Sequence, residues 1–161
     1  MADILTAQQR SERMAPVRGL ANRSTEIALV RAFRLNGVSG WRRHVRLRLH
    51  DPGARLAGGS RPSAFVRPDF VFRPTRVALF VDGCFWHACP LHLHGTRPAG
   101  NASFWAAKLE ANRRRDRLTT ASLRRAGWVV VRVWEHNVKK RPDSCGRRVQ
   151  RALDGRVSQG G

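Results

Sequence analysis

Acidic residues are scarce in this chain, with 11 Asp and Glu against 31 Lys and Arg in 161 residues, a formal charge of +20 and a pI near 11.9. That imbalance excludes a basic partner and makes a polyanion the default one, nucleic acid ahead of an anionic membrane. Lysine is nearly missing too: only Lys108, Lys139 and Lys140 are lysines, and the remaining cations are arginines, whose planar forks suit bidentate phosphate and base contacts. A GC-rich genome would also favour arginine codons, but the positive charge is the same under either explanation. Cysteine is represented only by Cys84, Cys89 and Cys145, an odd number that argues against a disulfide framework and for metal binding. No stretch approaches the about 18 apolar residues of a membrane span, and the start of the chain lacks a signal-peptide pattern. The expectation is a cytoplasmic protein without a membrane partner. An apolar content of 42% at this length is enough for one buried core.

Three regions follow along the chain: a flexible basic arm over 1–22, a single domain over 23–155 and a disordered tail over 156–161. Within the domain, Ser24 is a candidate cap for an amphipathic helix over 24–36, with Leu29, Ala32 and Phe33 on its apolar face and Gly37 after it. Trp41 to His50 alternates basic and apolar residues, the period of a half-buried strand. Residues 51–64, rich in Pro, Gly and Ser, form a loop. Two apolar runs, 64–72 and 77–81, flank Arg73-Pro74-Thr75-Arg76 as a hairpin. An arginine-studded helix over 101–126 has Phe104, Leu109 and Leu123 inward and ends at Gly127; a buried strand, 128–134, and a helix near 143–153 complete the chain. Strand 77–81, helix and strand 128–134 have the length of a right-handed parallel crossover, so the predicted fold is α/β with a mixed sheet flanked by helices.

Two constellations carry chemistry. With the hairpin centred between Pro74 and Thr75, Asp69 lies opposite Phe80 or Val81 and close to Asp82. Two carboxylates and a backbone carbonyl of residue 80 or 81 then meet at one sheet end, hard oxygen ligands of the kind Mg²⁺ takes. The competing assignment is structural: Asp69 paired with Arg67 or Arg73, and Asp82 capping the turn at Gly83. The second constellation is Cys84, Cys89 and His92, together with His136. Parallel crossover strands finish at the same sheet end, which delivers Cys84 and His136 to one neighbourhood as a closed, structural Cys₂His₂ zinc site, with His94 the rival of His92. Beside them, His87 can serve as a general acid/base or bind phosphate. Phe85-Trp86 and Phe104-Trp105 are aromatic pairs that either fill the core or wedge between base steps. Lys108, Asn112, Arg115 and Asp116 recur at helical spacing and form one polar face.

Taken in order, Arg67-Pro68-Asp69-Phe70, Val81-Asp82-Gly83-Cys84-Phe85-Trp86-His87, Cys89-Pro90-Leu91-His92, Asn101 to Lys108, Asn112 to Asp116 and Gly127-Trp128 leading to Trp134-Glu135-His136 resemble the very-short-patch repair (Vsr) DNA mismatch endonucleases over roughly residues 10–140. The resemblance implies a restriction-endonuclease-like core with a structural zinc. It implies a Mg²⁺-dependent nick 5′ of the thymine in a T:G mismatch left by deamination of 5-methylcytosine, on duplex DNA, in a bacterial cytoplasm close to the nucleoid, by a monomer working with repair factors. On it, Asp69 with the Val81 carbonyl holds Mg²⁺, His87 helped by Glu26 moves the proton, and Cys84, Cys89, His92 and His136 hold Zn²⁺. Phe85, Trp86 and Trp105 enter the duplex; the expectation that Lys108, Asn112 and Arg115 contact DNA comes from the polar helix face and not from the resemblance. Asp82 departs from the residue some members carry, and the 51–64 loop is longer than the pattern suggests. A restriction or nicking enzyme for matched DNA and a non-catalytic zinc-stapled DNA-binding module are the alternatives.

Overall fold

The computed structural model describes residues 24–49, 65–92 and 102–158. The expected arm over 1–22, the 51–64 loop and His94 lie outside them. Helix α1 (24–35) leads into β1 (Trp41–Arg43) and β2 (Leu47–Arg48). Then come β3 (Phe65–Val66), β4 (Phe70–Phe72), β5 (Val77–Asp82), α2 (Ala102–Arg125), β6 (Val129–Trp134), α3 (Glu135–Lys140) and α4 (Pro142–Val157). The main sheet has the order β1-β4-β5-β6, antiparallel except for the parallel β5–β6 pair, and β2 and β3 form a separate two-stranded sheet. This is a mixed α/β fold with helices on both sides of a mixed sheet.

Side-chain alternation along β5 and β6 decides what each sheet face covers. Val77, Leu79, Val81, Val131 and Val133 pack with Leu29 and Phe33 of α1 and Val149 of α4, whereas Ala78, Phe80 and Val130 pack with Leu123 of α2. The α1–α4 contact depends on Gly146, because a Cβ there would come within 3.3 Å of Ala32 and 3.0 Å of the Asn36 amide. At the end of α2, Gly127 takes φ +80° while Trp128 N–H donates to the Leu123 carbonyl at 3.0 Å, a glycine-dependent turn that satisfies a terminal carbonyl and feeds the chain into β6.

Five expectations need correction. Phe104 is 50% exposed, not inward, since the first turns of α2 extend past the sheet. A separate helix, α3, follows β6 directly, and α4 runs to Val157, so residues 156 and 157 of the expected tail are helical. The strand expected over 41–50 is broken, as is the run over 64–72. Both breaks fall at the same height. The pairs Trp41↔Phe72 and Arg43↔Phe70 on one side and Leu47↔Val66 on the other belong to one register, so these strands are a single antiparallel ribbon interrupted at 44–46 and 67–69. His44 adopts φ +54° at the interruption, and the buried Pro68 stands on the opposite strand.

Candidate active site and metal centre

The break shapes the first part of the site. The ladder between β4 and β5 ends at Phe70↔Leu79, and beyond it the Val81 N–H donates to Asp69 Oδ2 at 2.7 Å. The carboxylate thus continues the ladder where backbone pairing stops. Burial pushes the Asp69 carboxyl up to about 6, the Val81 N–H pulls it back in part, and the neighbouring Glu26 raises it further. Glu26, from α1, is 4% exposed. Its Oε2 accepts hydrogen bonds from His44 Nε2 at 3.0 Å and from Arg43 at 3.2 Å. Glu26, His44 and Asp69 offer one ligand atom each, all within 4.8 Å of one another.

Asp82 and His87 belong to a second cluster. Alternation turns the Asp82 side chain to the α2 face, where both of its oxygens are taken by Arg132 of β6, at 2.5 and 2.8 Å. His87 Nδ1 lies 2.5 Å from Asp116 Oδ2 of α2 and 3.8 Å from Asp82. Burial would raise the Asp116 carboxyl, but the His87 hydrogen bond, with Arg132 and Arg115, holds it below its ordinary value. An ionised carboxylate only accepts, so Nδ1 carries the proton and Nε2 is the ring's remaining functional atom. These groups line a cleft of about 490 Å³ with Arg113, Arg117 and Arg124 around it. The resemblance implied that Glu26 assists His87. In the structure Glu26 is engaged with His44 and Arg43, and Asp116 orients His87.

The third cluster contains the cysteines. Asp82 pairs with Trp134 across the parallel strands, so Cys84 and His136, each two residues further on, come out side by side. Cys84 Sγ is 3.2 Å and Cys89 Sγ 3.7 Å from His136 Nδ1, and His92 completes a four-residue group. Sulfur and nitrogen at zinc bond lengths of about 2.3 and 2.0 Å stand about 3.5 Å apart in a tetrahedron, so the donor set fits Zn²⁺. Burial pushes the Cys84 thiol up, which a bound cation would reverse. Two further turns hold the intervening loop: Cys89 N–H donates to the Cys84 carbonyl at 2.9 Å, and Ala88 takes φ +51°.

Phe85, Trp86 and Trp105 form one half-buried ring cluster, with centroids 5.0 Å apart for Phe85–Trp86 and 5.3 Å for Phe85–Trp105, and the exposed Phe104 extends it. Lys108 and Arg115 are exposed on α2. Asn112 is not: it is buried and donates to the Trp86 carbonyl at 2.9 Å, which braces the aromatic loop. Sequence reasoning also missed His44, Asp116 as the partner of His87, and Arg132. An arginine inside an otherwise apolar strand was the available signal for Arg132.

Together these features are a half-buried acid at a strand end, a carboxylate-oriented imidazole, a group of two cysteines and two histidines that could hold a metal ion, and a surplus of arginine. Residues 2–92 match the family model described as DNA mismatch endonuclease Vsr. The chain is 36% identical over 135 residues to DNA mismatch endonuclease Vsr of Escherichia coli, covering 84% of this chain and 74% of that one. It is 30% identical over 151 residues to the type II nicking enzyme V.HpaIIP of Haemophilus parainfluenzae, covering 94% and 95%. With the type II nicking enzyme V.NaeI of Lentzea aerocolonigenes it shares 54% identity over 71 residues, a match spanning 44% of this chain and 42% of that enzyme's length. The chain belongs to the Vsr family of DNA mismatch endonucleases.

Proposed function

We propose that the protein nicks duplex DNA 5′ of the thymine of a T:G mismatch arising from 5-methylcytosine deamination. The observation that carries the reading is Asp69: a half-buried carboxylate pinned by the Val81 N–H, with a second carboxylate, Glu26, beside it. A divalent cation would balance that paired negative charge. Mg²⁺ held by Asp69, with the Val81 carbonyl as a further ligand, would polarise the scissile phosphate and bind a water. The side chains do the rest. Asp116 fixes the His87 tautomer, so Nε2 is the atom that exchanges a proton with the reacting oxygens. Arg132 neutralises Asp82 and Asp116 and keeps that cleft hospitable to phosphate. The exposed arginines give salt-dependent affinity.

Mismatch preference follows from the rings. A wobble pair is cheaper to unstack than a matched step, so insertion of Phe85, Trp86 and Trp105 costs less there. Zn²⁺ on Cys84, Cys89, His92 and His136 would tie this loop to the strand ends. Among the described residues no helix is long and apolar enough to cross a membrane. The reading places the protein with chromosomal DNA in a bacterial cytoplasm, as a monomer upstream of repair synthesis and ligation.

The test is a nicking assay on otherwise identical T:G and T:A duplexes with Mg²⁺. A T:G-selective nick that is lost in Asp69→Ala supports the reading. Equal cutting of both duplexes would favour a nicking enzyme for matched DNA, a reading kept alive by the relatives named type II nicking enzymes. Binding without cutting would leave a zinc-stapled DNA-binding module.

A further inference from the structure

We propose that His44 is a nitrogen ligand of the catalytic cation, so that Glu26, His44 and Asp69 form a mixed oxygen–nitrogen site that favours Mn²⁺ over Mg²⁺. The inference rests on the metal-dependent reading above and extends it to a residue outside the motifs that suggest that reading.

Three observations lead to it. By the register of the interrupted ribbon, His44 is the residue opposite Asp69, and its N–H reaches the Asp69 carbonyl at 3.3 Å. The residue adopts φ +54°, a left-handed conformation that few side chains take and that His, like Asn and Asp, tolerates better than most, at the point where pairing stops. The imidazole then meets Glu26 rather than continuing the exposed basic face that Arg46 and Arg48 form. Its Nε2 is 3.0 Å from Glu26 Oε2. In an octahedron with bonds of about 2.1 Å, neighbouring ligand atoms are about 3.0 Å apart. The present contact is a hydrogen bond, and a cation entering between the two atoms takes the place of its proton.

Donor chemistry sets the preference. Mg²⁺ is a hard ion that favours oxygen and gives up water reluctantly, whereas Mn²⁺, a transition ion although the weakest-binding of the first-row series, loses water more readily and accepts a nitrogen donor better than Mg²⁺ does. A site of two carboxylates and one imidazole therefore discriminates in favour of Mn²⁺, and loss of the nitrogen removes that discrimination while the carboxylates still attract either ion.

The experiment uses the full chain loaded with one equivalent of Zn²⁺ at the cysteine site, titrated with Mn²⁺ and followed by electron paramagnetic resonance, with Mg²⁺ as competitor. The variant is His44→Gly, because glycine adopts the left-handed backbone without the steric cost that alanine carries. Wild type is expected to bind Mn²⁺ tighter than Mg²⁺ by about tenfold or more, with the ratio collapsing in His44→Gly and both ions lost in Asp69→Ala. An unchanged Mn²⁺ affinity and ratio in His44→Gly would overturn the proposal. Circular dichroism checks folding, and Glu26→Gln provides a second variant: it weakens both ions if the site exists and neither if it does not. T:G nicking is measured in parallel, so that a His44→Gly protein with intact metal preference and intact nicking defeats this inference alone, while no metal-dependent nicking by wild type defeats the functional reading.

Discussion

Arg132 and Asp82 form a two-point ion pair across the parallel strands β5 and β6, with both carboxylate oxygens engaged and the Asp82 side chain 8% exposed. Removing the cation strands a buried charge. Arg132→Met is expected to destabilise the fold by on the order of 3 kcal/mol, and Asp82→Asn added to it to restore part of the loss. Urea unfolding of the two single variants and the double variant measures this, and additivity would show that the pair is not coupled.

In the proposed reaction Asp116, hydrogen-bonded to His87, would act through that ring. His87→Ala is expected to lower the nicking rate by about 10²–10⁴-fold. Asp116→Asn should give a smaller fall in the rate constant with little change in DNA affinity, since it disturbs orientation of the ring rather than phosphate contacts. Single-turnover kinetics separate the two; a defect confined to binding would place Asp116 in a different role.

Asp69 ties metal-free stability to pH. Its folded-state value of about 6 exceeds the unfolded value of 3.8, so between the two the folded chain keeps a proton that the unfolded chain releases. Stability is therefore full at low pH and is lost as pH rises through about 6, by up to about 3 kcal/mol. Asp69→Asn should flatten that fall, and a divalent cation should offset it at neutral pH. Denaturation midpoints between pH 4 and pH 8 would read both effects.

Zinc removal is expected to loosen the 83–92 segment before the sheet core, because Cys84, Cys89 and His92 share their fourth partner, His136, with the end of β6. Chelation should lower the melting temperature by about 2–4 °C for each kcal/mol lost and shift tryptophan emission as the Trp86–Trp105 cluster opens. Cys145, which sits in the α1–α4 core, should be dispensable for metal content. Zinc quantification of Cys84→Ser and Cys145→Ala distinguishes them.

Stacking residues should matter most on mismatched DNA. Trp86→Ala or Trp105→Ala is expected to cost about 1–3 kcal/mol of binding to a T:G duplex. On T:A the cost should be smaller, as measured by fluorescence anisotropy at fixed salt. Equal losses on both duplexes would make the rings structural.

The parallel crossover was legible because local signals agreed: helix length, Gly127 after it and a β-branched strand behind it. That agreement also brought the two cysteines and two histidines together, since Cys84 and His136 follow strands that must end together. The hairpin centre placed Asp69 opposite Phe80 or Val81, and the observed register continues to the first of these. His44 was not legible. Its neighbours alternate as in an ordinary strand, and nothing local announces a left-handed residue at that point.

Composition and motif order were enough to specify a basic α/β protein, the crossover and the cysteine–histidine cluster, because each depends on chain-local propensity or on strands that finish together. Which carboxylate belongs to which histidine was decided only by tertiary structure. Asp69 joins Glu26 and His44 because a ribbon breaks beside α1, and Asp82 joins Arg132, His87 and Asp116 because alternation turns it to the α2 face. Both depend on which helix packs against which side of the sheet, a relation between distant segments that no local pattern encodes.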